Sequence, residues 1–112
     1  MYLKPYDSPG HRVAVLKFVQ TIPLKPSDPG YDIVSDTAAS LTKFAGVPTL
    51  LLWGLRDFVF DKHFLDGFRR ALPRATVREF EDANHYVLED KHEVLVPAIR
   101  RFLDAHPLAA GA

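Results

Sequence analysis

Asp57 and His85 are the two residues of this sequence whose types and positions best suit acid–base chemistry. Asp57 follows an apolar segment that is predicted to be a buried strand, and His85 follows the next predicted strand along the chain. The loops after two adjacent parallel strands open at the same edge of a sheet. At such an edge a carboxylate can accept a hydrogen bond from the imidazole Nδ1–H, which leaves Nε2 as the base.

The same two residues also have an ordinary structural interpretation. Asp57 could cap a turn, and His85 could lie on the surface of a loop. Spacing alone favours this interpretation, because both residue types are common in loops.

A nucleophile that such a pair could serve is not visible in the sequence. No G-x-S-x-G motif occurs, and no aspartate lies on a sharp turn from a strand into a helix. The serines fall in predicted loops, caps or helices, and they are Ser8, Ser27, Ser35 and Ser40.

A metal site is the second chemistry that these residue types could support. Its candidate ligands lie on different predicted elements, and no two histidines have the H-x-x-x-H spacing of a helical zinc site. We therefore expect no metal and no cofactor. The candidate ligands are Asp57, Asp61, His63, His85 and His92.

Aromatic residues are frequent around the predicted loops. Phe58 and Phe60 lie in the predicted loop after the first strand, where a residue is seldom part of the core, and Tyr86 follows the histidine. We expect these three to line a substrate pocket. Phe64 and Phe68 lie four positions apart on a predicted helix, and this spacing predicts core positions.

Hydrophobic periodicity, together with Pro and Gly, predicts the elements that place these residues. Asp61 is a plausible N-cap. Gly67, inside the helix that follows, is expected to lie where another backbone comes close. The predicted order is a helix over 9–20, a helix over 28–46, a strand over 47–53, a helix over 61–72, a strand over 76–80, a polar loop over 81–91 and a last helix that includes 94–103.

A helix between the two strands predicts a parallel pair joined by a right-handed crossover, so the fold class is α/β. The strand over 47–53 is apolar enough to be buried on both faces, and two strands alone form a poor sheet. We therefore expect the chain to form the edge of a larger sheet. An exposed strand edge of this kind could also pair with a second copy of the chain.

Length and composition limit the classes of protein to which the chain can belong. The chain has 112 residues, 47% of them hydrophobic, which suits one domain with a core. Its net charge is zero and its charges are mixed, so a nucleic-acid partner is not expected. It has no cysteine, no apolar run that could span a membrane and no signal-peptide pattern. A cytoplasmic location is the default expectation.

Two segments resemble motifs of the α/β-hydrolases. LLLWGLRD, residues 50–57, resembles the strand and W-G-x-x-D turn that carry the acid of the catalytic triad. DANHYVLED, residues 82–90, is similar to the final histidine loop of the family. Asn84 stands before the histidine where glycine is frequent, and we expect asparagine to be tolerated there because it accepts positive φ.

The N-terminal third resembles the haloalkane dehalogenases, and most closely the branch with the β-lactone decarboxylases of olefin biosynthesis. The segments that carry this similarity are YLKPYDS (2–8), RVAV (12–15) and FVQTIPLKP (18–26). The resemblance covers nearly the whole chain.

The resemblance implies that the chain is the C-terminal portion of an α/β-hydrolase. Residues 1–112 would form one partial domain, with a cap-to-core segment over 1–26 and the acid and histidine within 47–112. Asp57 would orient His85, which would activate water against an ester intermediate on a small hydrophobic substrate. The residues that distinguish a dehalogenase, a lactone decarboxylase and an esterase would precede Met1, as would the nucleophile. The alternative is a non-catalytic remnant or an interaction module that docks through its exposed strand edge.

Overall fold

The chain divides into two compact units, one up to Ala39 and one from Ser40 onwards. The computed structural model describes residues 4–107. The prediction of one partial domain over 1–112 stays a prediction. Among the described residues no helix is long and apolar enough to cross a membrane.

The first unit is helical. Two short 3-10 turns, Lys4–Tyr6 and Gly10–Arg12, precede helix α1 (Val13–Gln20), and helix α2 covers Tyr31–Ser40. The predicted second helix was too long, because the helix changes to a 3-10 turn over Leu41–Phe44.

One side chain near the end of α2 bonds to the helical backbone. The Thr37 hydroxyl donates to the Ile33 carbonyl at 2.7 Å. Side-chain bonds of this kind compete with the helical backbone ladder and weaken the helix.

A parallel pair of strands forms the centre of the second unit. Strand β1 (Leu50–Gly54) lies beside strand β2 (Thr76–Phe80), with Leu50 opposite Thr76 and Gly54 opposite Phe80. Helix α3 (Lys62–Ala71) connects them, and its predicted N-cap is confirmed, because the Asp61 side chain accepts the His63 N–H. The α/β class and the parallel pairing are therefore confirmed.

Strand β1 begins three residues later than predicted. The Val47 N–H donates to the Phe44 carbonyl at 2.9 Å in a turn, and Pro48 has no N–H to give to a sheet. The pairing starts only at Leu50 because the partner strand itself begins at Thr76.

Helices lie on both faces of β1. The Leu52 side chain packs against the buried cluster of Phe80, Ala83 and Leu95, on the side of the last two helices. The next side chain, Trp53, meets the ring of Phe68 on α3 at a centroid distance of 5.8 Å. Successive residues of a strand point to opposite faces, so Trp53 faces α3 and Leu52 faces the last two helices.

The last two helices are α4 (Val87–Asp90) and α5 (His92–Ala105). The prediction of a continuous loop over 81–91 was wrong. The Val87 side chain packs against the buried cluster, and a single turn of helix is too short to show periodicity in the sequence.

The side chains from Leu50 to Trp53 are half-buried, because β2 is the only strand paired with β1 within residues 4–107. The expectation for Gly67 was wrong. Gly67 has no backbone close to it, since a Cβ there would meet only the Arg70 guanidinium at 3.9 Å.

Gly54 is the glycine at which a close approach occurs. A Cβ at this position would lie 2.5 Å from the Asn84 carbonyl oxygen and 2.6 Å from that of Ala83. Both contacts are with backbone, which cannot rotate away as a side chain can. The loop after β2 can therefore cross the end of β1 only where no side chain is present.

We predict that Gly54→Ala lowers the free energy of unfolding by about 1–3 kcal/mol, because the new methyl group forces the loop after β2 away from the end of β1. The matched control is Gly67→Ala, which should raise it by about 0.5–1 kcal/mol, as expected for an unobstructed helical glycine. Urea unfolding followed by circular dichroism measures both. Equal effects of the two substitutions would contradict the close contact at Gly54.

Candidate active site

The carboxylate of Asp57 is held in place by the loop that carries it. Its Oδ1 accepts the backbone N–H of Val59 at 2.8 Å and that of Phe60 at 2.9 Å. An aspartate that bonds to the backbone two and three residues ahead closes a compact turn. The turn therefore fixes the orientation of the carboxylate independently of His85.

Trp53 bonds to the C-terminal end of the same loop. Its indole Nε1–H donates to the Phe60 carbonyl at 2.9 Å. The peptide groups of Phe60 are thus bonded both to the aspartate and to a strand side chain. Asp61, the next residue, caps α3 and ties the loop to that helix.

His85 lies against this carboxylate. Its Nδ1 is 3.1 Å from Oδ1 and 3.0 Å from Oδ2 of Asp57. The predicted contact between the two side chains is therefore present, and it brings together the ends of two adjacent parallel strands. When Nδ1–H donates to the carboxylate, Nε2 carries the lone pair and is the basic nitrogen.

The surroundings keep Asp57 ionised. Its side chain is only 10% exposed, against 30% for His85. Burial alone would raise the pKa of this carboxyl, but the N–H groups of Phe60 and Val59 and the contact with His85 outweigh it, and the net effect lowers the pKa. A charged carboxylate with fixed oxygens is the partner that an imidazolium needs.

Aromatic rings border the histidine. The centroid distances to the His85 ring are 5.6 Å for Phe60, 6.1 Å for Phe58 and 5.5 Å for Tyr86. The structure therefore places all three sequence-predicted pocket residues around the candidate base. Phe58 is 83% exposed, so these rings form an open apolar rim and not a closed cavity.

Phe64 joins this rim, and its predicted core position was wrong. It is 49% exposed and meets the Phe60 ring edge-on at 5.2 Å. Helical spacing placed it on the same face as Phe68, but Leu65 is the α3 residue that becomes buried.

The remaining metal-ligand candidates do not converge with the pair. The His92 ring nitrogen Nδ1 lies 3.3 Å from the Glu89 carbonyl oxygen, and His63 is exposed on α3. Within residues 4–107 no three His, Asp or Glu side chains are grouped as they would be around a metal ion.

Two features of the histidine loop were missed or misjudged from the sequence. In the described part of the chain, no residue other than glycine has a positive φ. Asn84 therefore does not adopt the backbone conformation that was the reason for expecting asparagine to be tolerated. The Asn84 N–H instead donates to Oδ2 of Asp90 at 2.8 Å. Hydrophobic periodicity does not predict a hydrogen bond between a backbone N–H and a side chain six residues later.

Comparison with known proteins shows similarity to two decarboxylases over most of this chain. It is 57% identical over 107 residues to the cis-3-alkyl-4-alkyloxetan-2-one decarboxylase of Xanthomonas campestris pv. campestris, covering 96% of this chain and 36% of that protein. It is 54% identical over 102 residues to the decarboxylase of the same name from Shewanella oneidensis, covering 91% of this chain and 32% of that protein.

A more distant relative is epoxide hydrolase 1 of Caenorhabditis elegans, which is 30% identical over 60 residues, covering 54% of this chain and 15% of that protein. No protein-family model matches the chain. The chain spans about a third of the length of the two decarboxylases that it matches. It is homologous over nearly all of its residues to a portion of these decarboxylases, and its fold is a portion of an α/β-hydrolase.

Proposed function

We propose that Asp57 and His85 are the acid and the base of a catalytic triad. The observation that supports this most directly is the distance of 3.0 Å between His85 Nδ1 and an Asp57 carboxylate that two backbone N–H groups already orient. The nucleophile would come from a part of the enzyme that these residues do not supply. The chain would then be the C-terminal portion of that enzyme, because the acid and the histidine follow the nucleophile in α/β-hydrolases.

In this proposal the base acts on water after an ester forms between the substrate and the nucleophile. The lone pair on His85 Nε2 takes a proton from water, and the water oxygen attacks the ester carbon. The ester C–O bond breaks, and the proton on the imidazolium becomes available to a leaving oxygen. The Asp57 carboxylate stabilises the transient positive charge on the ring.

The proposed substrate is a small apolar lactone. The relatives with the highest identity given above are named for a 3,4-dialkyl oxetan-2-one, a four-membered lactone with two alkyl groups. The ring faces of Phe58, Phe60 and Tyr86 would pack against such alkyl groups beside the base. An ester or a haloalkane of similar size is the competing substrate class.

We predict that Asp57→Asn reverses the tautomer of His85. The Val59 and Phe60 N–H groups would hold the amide oxygen at the Oδ1 position, so the amide NH2 would face Nδ1. The ring would then carry its proton on Nε2 and could no longer act as a base there. Long-range ¹H–¹⁵N spectra of the neutral imidazole report the tautomer directly.

The control for this measurement is Asp61→Asn, the same change in the same loop, since asparagine is an equally good N-cap. It should leave the tautomer of His85 unchanged. If wild-type His85 carries its proton on Nε2, or if Asp57→Asn leaves the tautomer as it was, the proposed pair is wrong.

The catalytic role can be tested in a chimera. We predict that the Xanthomonas decarboxylase keeps lactone turnover when the portion matched by this chain is replaced with it. His85→Ala in the chimera should reduce kcat by about 10⁴-fold or more, because triad members act as a unit. His63→Ala, an exposed histidine on α3, is the matched control and should have no effect.

The 112-residue chain alone should give the same background rate as its Asp57→Ala/His85→Ala double variant with lactones, esters and haloalkanes. Turnover by the chain alone that is lost in the double variant would show a nucleophile within it. A folded chimera that is inactive both with His85 and with His85→Ala would favour the alternative, a non-catalytic interaction module.

A further inference from the structure

We propose that Asp90 is a positioning residue for His85. Its carboxylate Oδ2 accepts the backbone N–H of Asn84, the residue before the histidine, at 2.8 Å. Its own backbone N–H donates to the carbonyl of Tyr86, the residue after the histidine, at 2.9 Å. One residue thus bonds to both sequence neighbours of His85. This inference rests on the proposed function, in which the orientation of that ring matters.

The two bonds complete a frame around the histidine loop. On the other side, the Arg56 N–H donates to the Ala83 carbonyl at 3.0 Å, and the loop lies directly on Gly54. The peptides on the N-terminal side of His85 are therefore held between the end of β1 and the carboxylate of Asp90. With both sides fixed, the backbone of His85 is held where the imidazole Nδ1 can reach Asp57.

The chemistry of the acceptor matters as well. A bond from a backbone N–H to a carboxylate is stronger than one to a neutral acceptor, and it can persist at an exposed site. Asp90 is exposed, so removing its side chain opens no buried cavity. The expected effect of substitution is a local change in the orientation of the loop, with little change in global stability.

A nearby ion pair provides a contrast. Lys91 Nζ bonds to Asp82 in the same loop, and the Asp82 side chain is 62% exposed. Exposed ion pairs contribute little to stability, and this one bonds to neither neighbour of His85. Asp82→Ala is therefore a matched control that removes an acidic side chain from the same loop.

The test uses the 112-residue chain labelled with ¹⁵N, and it measures the tautomer of His85 and the hydrogen exchange of the Asn84 amide. In Asp90→Ala we expect Asn84 to exchange faster by about tenfold or more, and the ring of His85 to become a mixture of tautomers. Asp90→Asn should restore most of both properties, because its amide oxygen can still accept the N–H. Asp82→Ala should resemble the wild type.

A measurement without substitution covers the case in which Asp90→Ala fails to fold. In the wild-type chain the Asn84 amide should be protected from hydrogen exchange, because its N–H is bonded to the Asp90 carboxylate. An Asn84 amide that exchanges as fast as an unbonded surface amide would overturn the inference. So would a folded Asp90→Ala variant with wild-type exchange and tautomer.

The failure of this inference is distinguishable from that of the proposed function. If Asp57→Asn reverses the tautomer but Asp90→Ala changes nothing, Asp57 and His85 remain a pair and only the role of Asp90 is wrong. If Asp57→Asn has no effect on the tautomer, the proposed function fails first.

Discussion

The crossing of the histidine loop over Gly54 is the constraint on which the rest of the site depends. The carbonyl oxygens of Ala83 and Asn84 occupy the space that a side chain at position 54 would fill. This contact brings the loop after β2 onto the end of β1, where the Arg56 N–H can bond to it. Without the crossing, the loop that carries His85 would lack its backbone bond from Arg56, the residue before Asp57.

The electrostatics of the pair follow from that arrangement. A partly buried carboxylate would ordinarily resist ionisation, but Asp57 receives two backbone N–H bonds from its own loop and faces His85. These donors favour the charged form and also fix which oxygen faces which group. The orientation of the imidazole therefore depends on a carboxylate whose position is set by local backbone and not by the histidine.

All parts of the candidate site lie in the unit that begins at Ser40. The two candidate residues, the aromatic rim and Asp90 lie in the loop after β1, on α3, in the loop after β2 and on α4. A base and its acid need an activated nucleophile for covalent catalysis, and the relatives of this chain are about three times its length. Under the proposed function, the pair would be one component of a longer hydrolase site.

Local signals in the sequence determined much of this structure. Thr76–Phe80 is a strand with the predicted bounds, Asp61 caps α3, and the approach of Asp57 to His85 follows from a helix between two strands. These features depend on neighbours close in sequence or on a topology with few alternatives. The tertiary structure alone decided the short helix α4, the exposure of Phe64, the contact at Gly54 and the bond from Asn84 to Asp90. Each of these depends on which surfaces and side-chain oxygens meet in space, and hydrophobic periodicity carries no information about that.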